Sequence, residues 1–259
     1  STLFPYTTLF RSTNRGGFDD ERGQIIYHLV RILKEKNTPY FILENVKGLV
    51  NHDKGRTFKI IMELLDEAGY ATEYKVIDSR DTGVPQMRER IYLIGMKKEL
   101  VKNGNYIFPE KVETPNIKEF LCDENSEILD TNNTTFQRYL NNKYNEGKHD
   151  LKKILQEDYL VLDTRQSDLR LYRGVVPTLR TGRHGILYVK DGQLHKLSSF
   201  ESLLLQGFDK EKSKKVSKQE DILGRNLLSQ AGNAMTVNAI ELLSKQLLTY
   251  IEDQGYDNR

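Results

Sequence analysis

Between Glu21 and Met96 the apolar residues change period several times, and this alternation constrains the fold more than any other feature of the chain. Over Glu21 to Lys36, Ile25, Leu29 and Leu33, with Ile26 and Val30 beside them, form the i, i+4 stripe of an amphipathic helix. After Pro39, Tyr40 to Leu43 is a continuous apolar run, the pattern of a strand buried on both faces of a mainly parallel sheet, and it ends abruptly in Glu44 and Asn45. Arg56 to Ala68 reads as a second helix with Phe58, Ile61, Met62 and Leu65 inward and Gly69 at its C-cap. Strands at Tyr74 to Ile77 and Ile91 to Met96, joined by a polar loop from Asp78 to Arg90, complete the unit. Helix, strand, helix, strand, strand is the order of an α/β domain, entered in its middle: the usual first strand and glycine-rich turn are not among these residues.

The rest of the chain has a different character. Lys97 to Leu162 is polar, Asn-rich and weakly periodic, as expected of an irregular region. Ile186 to Leu197 predicts a hairpin, because two apolar segments flank Asp191-Gly192, a pair that tolerates positive φ. Ser198 and Glu201 have capping-box spacing ahead of a short helix closed by Gly207. The lysine run from Lys210 to Lys218 reads as a solvated loop, and Met235 to Ile251 as a final helix. Ser1 to Ser12 has neither period and is expected to be foreign or disordered.

Composition narrows the classes. With 259 residues, 37% of them hydrophobic and 29% charged, the chain suits one or two ordinary globular domains. No apolar run approaches the roughly 18 residues that span a bilayer, so no membrane role is expected. The single cysteine, Cys122, cannot form an internal disulfide and has no metal-ligand spacing, which favours a reducing cytoplasmic setting and no metal. A net charge of +2 gives no global sign of a nucleic-acid partner, so any such partner must be argued from local clusters.

Four places carry candidate chemistry. Glu44 follows a buried strand, where open α/β sheets place ligands; a structural ion pair is the equal alternative. In Gln86-Met87-Arg88-Glu89-Arg90, strand alternation puts Arg88 and Arg90 on one side, where two guanidiniums suit an anion or a base carbonyl, against a default of surface salt bridges. From Asp163 to His184, Arg165, Arg170, Arg173, Arg180 and Arg183 outnumber Asp163 and Asp168, and the interleaved glycines let backbone approach phosphates. Ala231-Gly232-Asn233-Ala234, placed before the final helix, offers amides and an Asn side chain to a small polar ligand, with plain capping as the alternative.

Taken together, FILENVKGLVNHDKGRTF, VPQMRERIYLIG, RGVVPTLRTGRHGILY with LHKLSSFESLLLQGF, and QAGNAMTVNAI stand in the order and spacing of the cytosine-C5 DNA methyltransferases. The resemblance runs from GFDDERG near Gly17 to the final helix. It implies a partial S-adenosylmethionine-dependent methyltransferase sheet, Rossmann-like, with a smaller, irregular, β-rich target-recognition domain. It also implies boundaries: 13–97 as the C-terminal half of the catalytic domain, 98–225 as the recognition domain, and 226–259 as a final motif and helix packing back on the catalytic domain.

In that family a cysteine thiolate attacks C6 of a flipped cytosine, C5 takes the methyl group of S-adenosylmethionine, and a base removes the C5 proton. The resemblance assigns Glu44 to the cytosine N3 and N4 edge, and Arg90, with Arg88, to the base O2. Ile25, Asn233 and Ala234 fall to the cofactor, and Arg173, Thr178, Leu179, Arg180 and Arg183 to double-stranded DNA. It also implies a cytoplasmic, nucleoid-associated protein of a prokaryotic restriction–modification system.

The family's Pro-Cys nucleophile loop has no counterpart here. Cys122 follows Leu121 rather than Pro and sits beside Asp123 and Glu124, which disfavour a thiolate. The expectation is therefore a methyltransferase fragment, inactive alone. The alternatives are the recognition subunit of a split enzyme, completed by an N-terminal half, and a catalytically dead DNA-binding module.

Overall fold

A computed structural model of the chain describes residues 25–182, 184–219 and 222–256. Ser1 to Ser12, the GFDDERG segment and Arg183 lie outside the described residues. The chain forms two compact units. The first takes the described residues up to Asp78, then Glu89–Lys111 and those from Ala239 onward; the second takes Ser79–Arg88 and Val112–Asn238.

The first unit is an α/β layer structure. Its elements are α1 (Ile25–Glu35), β1 (Tyr40–Val46), α2 (Arg56–Glu67), β2 (Tyr70–Asp78) and a strand at Glu89–Lys97, which becomes β4 once β3 (Gln86–Met87) of the second unit is counted. The strand order is β1-β4-β2. Strand alternation gives β4 two buried faces. Ile91 and Leu93 pack with Ile26, Val30 and Leu33 of α1 and Phe58, Ile61 and Leu65 of α2. Tyr92, Ile94 and Met96 pack on the other face with Leu243, Leu247 and Ile251 of the final helix.

The parallel sheet expected from Tyr40 to Leu43 is corrected here. β1 pairs with β4 antiparallel, from Tyr40↔Met96 to Val46↔Arg90, and β2 pairs with β4 antiparallel as well. β1 and β2 do run in the same direction, as a strand–helix–strand crossover requires, but β4 lies between them. β1 also continues through Glu44, Asn45 and Val46 rather than ending at Leu43, and Phe41 is its only fully buried residue. Opposite Phe41 stands Gly95, and a Cβ there would run into the Phe41 ring. The phenyl ring thus covers the glycine and meets Tyr70 edge-on at 5.2 Å.

The second unit centres on a five-stranded sheet of order β5-β10-β9-β6-β7. The strands are β5 (Ile128–Leu129), β6 (Val161–Asp163), β7 (Arg170–Tyr172), β9 (Ile186–Lys190) and β10 (Gln193–Lys196), all antiparallel. β8 (Val176–Pro177) pairs separately, in parallel, with β3. The hairpin expected at Asp191-Gly192 is present, with φ of 51° and 71° at its two turn residues. Two short helices, α3 (Thr134–Leu140) and α4 (Leu151–Ile154), contribute Phe136, Leu140 and Ile154 to one core of the sheet. α5 (Ser199–Leu205) begins with the expected capping box. The lysine run is a helix, α6 (Lys210–Ser217), rather than a loop, capped by the Asp209 side chain. α7 (Gly224–Asn233) follows, then α8 (Val237–Asp253), the final helix, whose first two residues belong to the second unit.

The unit limits at 78, 88, 111 and 238 differ from the sequence boundaries at 97 and 225 for local reasons. Tyr106 is buried with the α8 core and its hydroxyl donates to the Leu243 carbonyl at 3.1 Å, so the segment after β4 stays with the first unit. Ala231 of α7 lies in the second unit's core, and Gln86 and Arg88 bond within that unit.

Candidate functional site

In the first unit, Glu44 and Arg90 share one face of the sheet. Glu44 stands opposite Tyr92 and Arg90 opposite Val46, so the two are diagonal neighbours across β1 and β4. Arg90 Nε lies 3.0 Å from Glu44 Oε1, and their side chains are only 15% and 6% exposed. The two groups form a close ion pair rather than an aligned hydrogen bond. Beside them Arg90 also donates to the Glu89 carbonyl at 2.9 Å, and Lys47 pairs with the Glu89 carboxylate at the surface. The result is one acceptor and one forked donor, nearly desolvated, at the end of two strands. Ile25 is the first residue of α1 and is half-buried.

Arg88 does not join Arg90 as a second open guanidinium. It belongs to the second unit, is 1% exposed, and donates to three main-chain carbonyls: Ala234 at 2.8 Å, Gly232 at 3.3 Å and Leu179 at 3.5 Å. Gln86, fully buried, donates to the Leu205 carbonyl at 2.8 Å and accepts from the Leu179 amide at 3.1 Å. Gln206, also fully buried, donates to the Ala231 carbonyl at 2.5 Å and accepts from the Thr236 hydroxyl, which in turn meets Ser79 at 2.7 Å. Three polar side chains thus satisfy carbonyls that loops and a helix end leave open, as burial demands. Neither the polar segment around Gln86, which reads as a loop in the sequence, nor the LLLQGF segment announces this network. The QxR pattern, two long polar side chains flanking an apolar one, is its only sequence signal.

Ala231-Gly232-Asn233-Ala234 is the end of α7, not the approach to α8, which corrects the expectation of amides at a helix N-terminus. The segment therefore presents carbonyls, and its Ala234 amide is already bonded to Gln230. A Cβ on Gly232 would lie 2.6 Å from the Arg180 carbonyl carbon, so only glycine lets the Arg180–Thr181 backbone come this close. Thr181 donates to the Asn233 side-chain oxygen across this contact, leaving the Asn233 amide nitrogen as the donor at this place.

The arginine cluster divides into distinct roles. Arg165 is buried and grips Asp163 through two bonds, at 2.7 and 2.8 Å, while also donating to the Thr178 carbonyl at 2.7 Å. Burial pushes the Asp163 carboxyl up, but the Arg165 bonds and the Arg180 charge hold it below the usual aspartate range. Arg173 is exposed and spent on Glu157 through bonds of 2.7 and 2.8 Å. Leu179 is a core residue, and Thr178 donates to the Met87 carbonyl. Arg170 is exposed and lies 3.9 Å from Asp168, and Arg180 is half-buried and lines a small cleft with Leu179 and His184.

A second buried polar chain runs through this unit. The Tyr188 hydroxyl donates to Glu201 at 2.8 Å, Ser126 meets both Tyr188 and His195, and the Asp123 and Ser198 amides donate to the same carboxyl. Burial raises the Glu201 carboxyl to about 7 despite these donors. Its folded value therefore lies above the unfolded one of 4.5, and its favourable share of stability is full below that value and lost as pH rises toward 7. Glu201→Gln, which keeps the capping-box acceptor, is expected to flatten the fall of stability between pH 5 and 7, a span on the order of 2 kcal/mol in the wild type, read as Tm. An unchanged pH profile would refute this assignment. Nearby, burial raises the Cys122 thiol above its ordinary value, with Glu201 and Asp123 adding to the shift against Lys210.

Among the described residues no helix is long and apolar enough to cross a membrane, and no group of three His, Cys, Asp or Glu side chains could hold a metal ion.

The model of a family described as C-5 cytosine-specific DNA methylase matches residues 4–249, a range that begins inside the segment expected to be foreign. This chain belongs to that family. The type II methyltransferase M.Bsp6I of Bacillus sp. is 32% identical over 257 residues, covering 94% of this chain and 76% of that protein. The type II methyltransferase M1.ScrFI of Lactococcus lactis subsp. cremoris is 30% identical over 254 residues, and this chain spans 61% of its length. Among solved structures, the Entamoeba histolytica methyltransferase EhMeth aligns with a TM-score of 0.60 at 16% identity, covering 93% of this chain and 71% of that one. The S. pombe methyltransferase Dnmt2 aligns equally well, at 16% identity over 96% of this chain and 76% of that one. The matched range includes Glu44, Arg88 and Arg90.

Proposed function

We propose that this chain supplies the cytosine-recognising and DNA-contacting part of a DNA cytosine-5 methyltransferase of a restriction–modification system, working on double-stranded DNA at the nucleoid in the cytoplasm. The observation that carries this reading is the nearly desolvated Glu44–Arg90 pair. A flipped cytosine offers N4–H donors and the N3 and O2 acceptors. The Glu44 carboxyl meets the N3 and N4 side, and the Arg90 guanidinium donates to O2, where it stabilises charge as the ring becomes electron-rich. Because the pair is largely shielded from water, each interaction with the base is stronger than it would be in solvent.

Arg88 acts differently. Its three carbonyl partners fix Leu179, Gly232 and Ala234, and so shape the Thr178–Arg180 segment that meets the DNA backbone. Arg180 and Arg183 supply charge there, Thr178 and Leu179 hold the loop, and Arg173 contributes at the edge once released from Glu157. S-adenosylmethionine, when bound, supplies an electrophilic methyl group. Ile25 offers an apolar surface, and Asn233 keeps its amide nitrogen as a donor, while the Ala234 carbonyl is bonded to Arg88. Ile25 belongs to the first unit and Asn233 to the second, and each offers one kind of contact that such a ligand uses.

Cys122, with a thiol raised by burial and flanked by Asp123, is not the nucleophile in this reading. Incubated with labelled S-adenosylmethionine and mixed-sequence DNA, the chain alone is expected to transfer no label. Co-expression with a polypeptide bearing a Pro-Cys loop is expected to restore transfer, and Glu44→Gln in that complex to lower kcat by about a hundredfold or more, as for other charge-stabilising groups. Incorporation by the chain alone, or an unimpaired Glu44→Gln complex, would overturn the assignment.

A further inference from the structure

The lysine run that reads as a solvated loop in the sequence is a helix, and its lysines are not randomly placed. Lys210 and Lys214 on α6 and Lys218 at its C-cap are four residues apart, so they lie along one face at about 6 Å intervals. All three line a cleft of about 730 Å³ within the second unit. Gly224 and Arg225, at the start of α7, line the same cleft, and that helix start has no side-chain cap. The lining also includes Glu211 of α6 and Asp123, Glu124 and Glu127, the last paired with Lys196.

On α1, α2 and α8 an exposed basic residue has an acidic neighbour one turn away: Arg31 with Glu35, Lys59 with Glu63, Lys245 with Glu241. α6 does the opposite. Its cleft face repeats lysine at i, i+4, an arrangement that costs a few tenths of a kcal/mol per pair. Among the described residues, Lys210, Lys214, Lys218 and Arg225 have no carboxylate within ion-pair distance. A face that gives up stability to concentrate unpaired cations at regular spacing is built for a repeating anion.

We propose that Lys210, Lys214 and Lys218, with Arg225 and the start of α7, form a sequence-independent contact for the phosphodiester backbone of duplex DNA, additional to the Thr178–Arg180 segment. The inference rests on DNA being the partner. The contact adds affinity and salt sensitivity without reading bases, because phosphates carry no sequence information.

Two variants with equal charge loss test it. K210Q/K214Q removes lysines that face the cleft, and K212Q/K215Q removes exposed lysines of the same helix that do not line it. Binding of each to a mixed-sequence duplex of about 30 base pairs is followed by fluorescence anisotropy between roughly 50 and 200 mM salt. The slope of log affinity against log salt is expected to fall by about two for K210Q/K214Q and by less than half of that for K212Q/K215Q. If the wild type binds and the two variants lose slope equally, or not at all, the α6 contact is overturned while the DNA reading stands. If the wild type binds no DNA at any of these salt concentrations, the proposed function fails and takes this contact with it.

Discussion

Arg88→Met is expected to destabilise the second unit by about 3 kcal/mol, the upper range for leaving buried acceptors of a charged donor unsatisfied. Methionine fills much of the volume but donates nothing. The Ala234, Gly232 and Leu179 carbonyls, at 2.8, 3.3 and 3.5 Å from the guanidinium, are then left in a buried place without their donor. The Ala234 bond is the shortest and accounts for the largest share, since strength falls steeply with length. Lysine would not repair the loss, because one ammonium cannot reach three acceptors that a planar fork spans. Native-state hydrogen exchange reads the result without assuming that both units unfold together. The Leu179 and Ala234 amides, bonded to Gln86 and Gln230, are expected to exchange about a hundredfold faster or more in the variant. Arg90→Met leaves exchange at those amides unchanged, because Arg90 bonds within the first unit. Unaltered exchange in Arg88→Met would refute the role of Arg88 as a structural tie.

The second large effect is expected at the Asp163–Arg165 pair. Both side chains are almost fully buried, at 6% and 2% exposure, and the pair is joined to the Thr178 carbonyl by a third bond. Arg165→Met leaves an unpaired carboxylate in the core of the sheet, at a cost of about 3 to 5 kcal/mol near neutral pH. The pH dependence identifies the cause. In the wild type the Asp163 carboxyl is held below its ordinary value of 3.8, so its stabilising share is present above that value and lost as pH falls through the folded one. In the variant burial acts without the guanidinium, the carboxyl moves up, and protonation relieves the strain. The difference in Tm between wild type and variant is therefore expected to be widest near pH 7 and to narrow as pH falls toward 4. A difference independent of pH would mean that lost packing, not charge, is responsible.

The parts legible in the sequence were those where one period or one local rule decides the structure. The α1 stripe, α2 with its Gly69 stop, the Asp191-Gly192 hairpin, the Ser198–Glu201 capping box and α8 all follow from spacing within a dozen residues. What failed depends on partners far away in the chain. Strand direction around Tyr40 to Leu43 is set by β4, some fifty residues later, sliding between β1 and β2. α7 has glycine at its start and near its end and only Leu227, Leu228 and Ala231 as an apolar stripe, too short to outweigh glycine's low helix propensity. Its stability comes from tertiary packing of Leu227 and Ala231, which composition does not announce.

The candidate site was legible by residue type but not by role. Glu44 and Arg90 do stand together. Arg88, two residues from Arg90, was read with it from strand alternation, yet β3 ends at Met87 and β4 begins at Glu89, so the alternation breaks at this residue. Arg165 was counted in the arginine cluster that argued for a nucleic-acid partner, because local charge counts cannot distinguish an arginine facing solvent from one closing a buried pair.

The β2 and β4 strands form a hairpin whose tip is Ser79–Arg88, and that tip belongs to the second unit. Asp78 and Glu89, where the segment leaves and returns, are themselves a cross-strand pair. With further passages at residues 111 and 238, the two units are sewn together rather than strung in series. No single proteolytic cut can release either one intact, and the ends of the loop bearing Gln86 and Arg88 are clamped by strand register, not by a tether.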